Sequence, residues 1–309
     1  MEEKSKILVI SLALFLVLMP FVTGFAQEEN AKGSTGAIFS YGTDAKSLAM
    51  GGAFVAVANN YSATYWNPAG LTQFSGVQLG GMNLRPYGIG NYSYGGGSLT
   101  FQNFALGGSY GTYSLDLSDQ LNYDTTYRNT VFGGTLAYGI DFANFGASVK
   151  SYNTEVGNSI GFDLGTLMDF GNISLGVVAT DVGNVKLDEA GNGTIQSSYR
   201  LGLSAELLGR ATASAEVDLQ GDRTLVKGGF EILPVQQFAL RGGVQAPVSG
   251  EANPSFTVGA GINLAGLTVD IAWLQNNTAF SKSQYGESGA GSTLVLSAGF
   301  QFGAFGESD

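Results

Sequence analysis

Residues 199–206, Tyr-Arg-Leu-Gly-Leu-Ser-Ala-Glu, decide the fold. Tyr199, Leu201, Leu203 and Ala205 alternate with Arg200, Gly202, Ser204 and Glu206, so apolar positions interleave with charged or small ones. Successive strand side chains point to opposite faces, which gives this segment one face for apolar surroundings and one that holds ions. The pattern recurs downstream. Val226, Phe230 and Ile232 interleave with Lys227, Gly229 and Glu231, and Phe238, Leu240 and Val244 with Arg241, Gly243 and Gln245. A soluble sandwich also alternates, but its polar face meets open water and carries many Lys and Glu. Only 13% of this chain is charged, and Trp273, Tyr138 and Phe302 fall on the apolar parity. That combination predicts a barrel with lipid outside and a wet or plugged lumen inside.

Extending the same reading along the chain gives about fourteen strands. They fall near 77–84, 95–101, 104–117, 127–140, 142–153, 158–167, 172–182, 197–207, 210–220, 224–233, 237–246, 254–264, 267–275 and 293–302. Connections after even-numbered strands are tight, as at Gln102-Asn103, Leu208-Gly209 and Ala265-Gly266. Those after odd-numbered strands are often longer, notably 118–126, 183–196 and 276–292. Short turns at one end and longer loops at the other are what an outer-membrane barrel shows. The expected fold is therefore all-β: a transmembrane antiparallel up-and-down barrel of about fourteen strands with a short N-terminal hatch or plug. Phe142, Phe145, Phe238 and Phe302 near one set of strand ends, with Trp273 near the other, suit interfacial aromatic girdles.

Composition bounds the chemistry. The 309 residues include 47 Gly and neither Cys nor His. Disulfides and thiolate zinc sites are thereby excluded, along with the usual general base. A net charge of -11 argues against nucleic acid as a partner. An apolar run from Ile7 to Val22 follows Lys4 and Lys6 and precedes Gly24-Phe25-Ala26, which predicts a cleaved signal peptide over 1–26. The expected organisation is then a hatch over 27–75, a barrel over 76–302 and a tail over 303–309.

Parity assigns Lys150, Asp163, Arg200, Glu206, Glu216, Asp218, Lys227, Glu231, Arg241 and Asp270 to the lumen. Both signs occur on neighbouring strands, and desolvated charges persist when paired or hydrated. An ion-pair network holding the hatch is expected ahead of a substrate path. Glu216 and Asp218 lie two apart on one face, a spacing open to acid–base work or a cation. No nucleophile motif, phosphate loop or spaced metal-ligand set accompanies them, so neither enzymatic activity nor a cofactor is expected. Asp188, Glu189 and Asn192 read as a solvated acidic loop with Ca²⁺ binding as the alternative. Inward Gly146, Gly161, Gly202, Gly229, Gly243, Gly259 and Gly261 remove side chains from the lumen and leave room for a hatch.

Residues 42–71, GTDAKSLAMGGAFVAVANNYSATYWNPAGL, resemble the N-terminal signature of the FadL-like outer-membrane superfamily. The Gly-Gly-Ala segment followed by Trp-Asn-Pro-Ala-Gly-Leu is most similar to its compact PorV/PorQ-like branch. The resemblance implies a hatch motif at Trp66, Asn67, Pro68 and Ala69. Asn59-Asn60 departs from it, since relatives often carry acidic residues there. The physical alternative for the triplet is an ordinary Asx-Pro turn, because Pro68 biases Asn67 toward extended geometry. Two functions are implied: a channel for hydrophobic small molecules, or an adaptor or scaffold for protein-secretion components. Outer-membrane lipid is the common partner. For the channel, Gly107, Gly108 and Gly111 are candidates for a kink in the third strand that would open a path to the bilayer. A third possibility, a secreted soluble β-protein, would turn the apolar faces into a sheet–sheet core.

Overall fold

A computed structural model describes residues 41–86, 90–116, 126–187, 193–221, 223–248, 254–275 and 292–303. All fall within the unit formed by residues 34–309. The expected signal peptide, the acidic loop at Asp188, Glu189 and Asn192, and the tail beyond Gly303 lie outside the described residues.

Fourteen strands close into one antiparallel barrel: β1 (Gly76–Leu84), β2 (Gly90–Phe101), β3 (Phe104–Asp116), β4 (Thr126–Ile140), β5 (Ala143–Asn153), β6 (Asn158–Asp169) and β7 (Ile173–Thr180), then β10 (Ser198–Leu207), β11 (Ala211–Gln220), β12 (Arg223–Val235), β13 (Phe238–Pro247), β14 (Ser255–Leu264), β15 (Leu267–Gln275) and β16 (Ser292–Phe302). Each strand pairs with its sequence neighbours, and β1 closes against β16 from Val77↔Phe302 to Leu84↔Val295. Closure leaves no unpaired edge, which spanning a membrane by strands requires. β14 and β15 are joined by Ala265-Gly266 alone, both at positive φ, the two-residue turn whose twist matches the flanking strands. The β11–β12 connection at 221–222 is equally tight and breaks the alternation of loop lengths on the other end.

The apolar parity faces outward around the circumference: Leu79, Leu106, Phe132, Phe162, Leu203, Phe230 and Leu296 are all exposed. Among the described residues no second sheet covers them, so these faces are not a sheet–sheet core. β2 begins at Gly90, earlier than its sequence suggests, because Tyr92 and Tyr94 point inward and reverse the rule that bulky residues face out. Phe142 is likewise not in the outer girdle. It is buried at the β4–β5 turn beside Phe170, with ring centroids 5.7 Å apart. The 183–196 connection is more than a loop: β8 (Val185–Lys186) and β9 (Thr194–Ile195) form a ribbon whose Val185, Leu187 and Ile195 bury against Tyr152.

Candidate functional site

Residues 41–75 lie inside the barrel and follow its wall strand by strand. Asp44 caps the short helix α1 (Ala45–Ala49), its Oδ1 accepting from Ser47 N at 2.6 Å. The Ala45 amide donates to Ser297 Oγ on β16. Thr257 on β14 donates to Ala49 O and accepts from Gly51 N. Next, Glu216 on β11 accepts the amides of Phe54 and Val55 through Oε2, both at 3.0 Å. Ser204 on β10 donates to Ala56 O. After α2 (Ala63–Trp66), a 3₁₀ turn over Pro68–Gln73 packs on β4, β5 and β6. Thr100 on β2 finally donates to Leu71 O.

The inward glycines make this route possible. A Cβ at Gly243 or Gly229 would meet the backbone at Met50-Gly51, one at Gly259 would meet Ala49, and one at Gly176 or Gly202 would meet Val55-Ala56. Gly165 and Gly146 likewise make room for Asn67-Pro68-Ala69. The segment's backbone thus lies directly on the sheet, where any side chain would hold it off. Gly161 and Gly261 do something different and make space for the Asp181 and Asp270 carboxylates.

Asn67 goes beyond an Asx-Pro turn. Its Oδ1 accepts from Ala69 N at 3.1 Å, which caps the 3₁₀ turn, while its Nδ2 donates to Val55 O at 2.9 Å and to Thr166 O on β6 at 3.1 Å. One fully buried carboxamide therefore ties the turn, an earlier part of the segment and the wall together. Trp66 stacks edge-on to Phe54 and Tyr65, with Arg200 and Lys227 over its ring at 5.6 and 5.9 Å. Cations over indole faces in a desolvated setting add roughly 2 kcal/mol or more each.

The lumen charges form three clusters, each with one cation bridging two carboxylates. Lys150 Nζ lies 2.8 Å from both Asp163 and Asp181. Lys227 Nζ lies 2.9 Å from Glu216 and 2.8 Å from Asp218. Arg241 reaches Glu231 through Nε and Asp270 through Nη1, both at 2.6 Å. Glu216 and Asp218 are consequently committed to one lysine and to segment amides, which leaves no free carboxylate pair for acid–base work. Arg200 stands apart from the clusters, donating to Tyr65 O and stacked on Tyr65 and Trp66. Glu206 has the inward parity but is exposed near the β10–β11 turn, so it belongs to the barrel mouth.

No register shift marks the expected kink. β3 pairs with β2 and with β4 without a register shift through Gly107, Gly108 and Gly111. Gly107 instead accommodates Leu71 and Thr64 of the inserted segment, and Gly108 faces outward. Parity does not mark Asp181, Asp44 and Lys46 as lumen charges, because Asp181 directly follows β7 on its outward parity and the other two lie on no barrel strand. Asp44 accepts from Asn60 Nδ2 at 2.6 Å and from Ser62 Oγ at 2.9 Å. Asparagine at position 60 thus supplies the donor that an acid there would lack.

No family model matches the sequence. No curated protein matches it either. Solved structures do. The toluene transporter TbuX of Ralstonia pickettii is 15% identical at a TM-score of 0.61, over 84% of this chain and 98% of that one. The toluene transporter TodX of P. putida is 14% identical at 0.62, over 85% and 99%. A FadL homologue of Pseudomonas aeruginosa is 13% identical at 0.60, over 84% and 98%. At these identities the likeness concerns architecture: the fourteen-stranded closed barrel of this chain is similar to that of FadL-type outer-membrane proteins.

Proposed function

We propose that this protein is an outer-membrane channel for small hydrophobic molecules, delivered by a signal peptide cleaved after Ala26, with residues 27–75 as its hatch. The observation that carries the reading is the fold likeness over nearly the full length of structures described as toluene transporters. The outward apolar band supports the location, since lipid is the surrounding that such a surface matches. In the hatch, Trp66, Asn67, Pro68 and Ala69 form the anchor. The ion clusters at Lys227 and Arg241 hold the wall against it, and solute movement requires part of that packing to give.

The test is uptake of radiolabelled toluene and of a labelled long-chain fatty acid by cells lacking their own channels. Cells carrying the assembled barrel should exceed an empty-vector control for at least one of the two. Uptake at the control level for both, with the barrel verified in the outer membrane, overturns the channel.

A second reading, an adaptor or scaffold for secretion components of the PorV/PorQ kind, is favoured by one observation. The β3 register runs without a shift where the channel reading expects a kink, and an adaptor needs none. It predicts that deleting the gene in its native host traps exported proteins in the periplasm.

A further inference from the structure

A cavity of about 380 Å³ opens at the tight-turn mouth, between the inserted segment and the wall from β12 through β16 to β1. This volume falls in the range of small-molecule sites, roughly 300–1,000 Å³, but such sites are mostly apolar and this one is not. Eight carboxamide side chains line it, among them Asn59, Gln73, Gln78, Gln237, Asn263 and Gln301. Each carboxamide offers two donor hydrogens and an acceptor oxygen.

The charges on its wall cancel. Lys46 and Arg241 face Glu231 and Asp270, and the four are paired with one another: Arg241 contacts both carboxylates at 2.6 Å and Lys46 lies 3.9 Å from Glu231. An ionic ligand would have to break a formed pair to gain one, so the wall selects for neutral molecules. Gln78 supplies a further observation. It is almost fully buried, its Nε2 donates to Asn59 O at 3.4 Å, and its Oε1 has no partner. A buried acceptor without a donor costs about 1–3 kcal/mol, so the Gln78 carboxamide gains by turning toward a hydroxyl or amide in the cavity. Tyr61 packs its ring over Gly80 and Gly299 and is almost fully buried at the edge of the cavity.

From this we infer that the cavity binds a neutral, polyhydroxylated ligand of disaccharide size. Many weak donors and acceptors with no net charge are what a sugar can satisfy, whereas a hydrocarbon would leave the carboxamides unpaired. The site is separate from the hydrophobic-solute reading and stands or falls without it. The same chemistry has two sources, a free disaccharide or a glycan strand of the cell wall.

Saturation-transfer NMR on the detergent-solubilised full chain tests it, with cellobiose and chitobiose as probes and glucuronate as the charged control. Transfer to both neutral disaccharides, with little to glucuronate, supports a general sugar site. Transfer to chitobiose alone supports wall glycan. Gln78→Leu and Asn263→Leu should each weaken binding at least tenfold, with heat-modifiable gel mobility confirming that the barrel is folded. Asn263 is exposed at the mouth, so its variant carries the test if Gln78→Leu fails to assemble. No transfer to either disaccharide at about ten millimolar overturns the assignment. So does transfer that persists in a folded variant, or that is equally strong for glucuronate.

Discussion

Lys227 Nζ sits 2.9 Å from Oε1 of Glu216, and the other oxygen of that carboxylate holds the Phe54 and Val55 amides. One buried side chain is thus both half of an ion pair and the clamp on the inserted segment. Glu216→Ala strands Lys227 on Asp218 and orphans two amides. Lys227 keeps Asp218, and each buried amide left without its acceptor costs about 1–3 kcal/mol. Urea unfolding of the refolded barrel should show that loss for Glu216→Ala, and a clearly smaller one for Arg128→Ala, whose residue is exposed on β4. Similar losses for the two would mean that the clamp contributes little.

The glycine track yields a sharper contrast. Gly243→Ala puts a methyl group into the Met50-Gly51 backbone, which has no flexible end to yield. Gly134 faces outward with nothing near its missing side chain. Overpacking typically costs about 1–3 kcal/mol. Thermal unfolding should therefore drop for Gly243→Ala and stay near wild type for Gly134→Ala. Equal midpoints would show that the segment shifts freely along the wall.

These residues also mark the limit of what the sequence reveals. Parity located all fourteen strands and placed Lys227, Glu216, Arg241 and Asp270 on the inner face, because a sheet with one apolar face punishes a one-residue slip at every position. Parity cannot say what an inward glycine faces. That Gly243 meets Gly51 and Gly165 meets Asn67 depends on contacts more than ninety residues apart in the chain. Glycines in β3 read equally as a bend or as a recess, and Leu71 decides for a recess at Gly107. The ribbon at Val185 and Ile195 escaped because two-residue strands carry no countable period.

Leu203 lies on the outer apolar face of the barrel and Glu206, on the same strand, at the mouth. Leu203→Lys should impair assembly, since a lysine at the bilayer midplane costs about 2–4 kcal/mol. Ser204 is not a neutral comparison: it is buried and hydrogen-bonded to Ala56 O, so a lysine there would collide with the segment. Glu206→Lys is the proper control and should assemble normally. Heat-modifiable mobility reads both, and equal assembly of the two variants would overturn the inside–outside assignment.

The two tryptophans of the chain report on different surroundings. Trp66 is buried in the inserted segment and Trp273 is exposed on the outer face of the barrel. Trp273→Phe therefore leaves a single probe inside the barrel, whose emission should be blue-shifted and shielded from iodide. Adding Asn67→Asp removes only the Nδ2 donor. The Oδ1 cap on Ala69 survives, while Val55 O and Thr166 O lose their partner and face a carboxylate. Each orphaned buried group costs about 1–3 kcal/mol, enough to detach the segment locally without unfolding the sheet. Iodide quenching of Trp66 should rise several-fold while far-UV circular dichroism keeps its β signal. Unchanged quenching would show that the glycine track and the Glu216 clamp hold the segment without Asn67. Loss of the β signal would show that the segment and barrel fold as one unit.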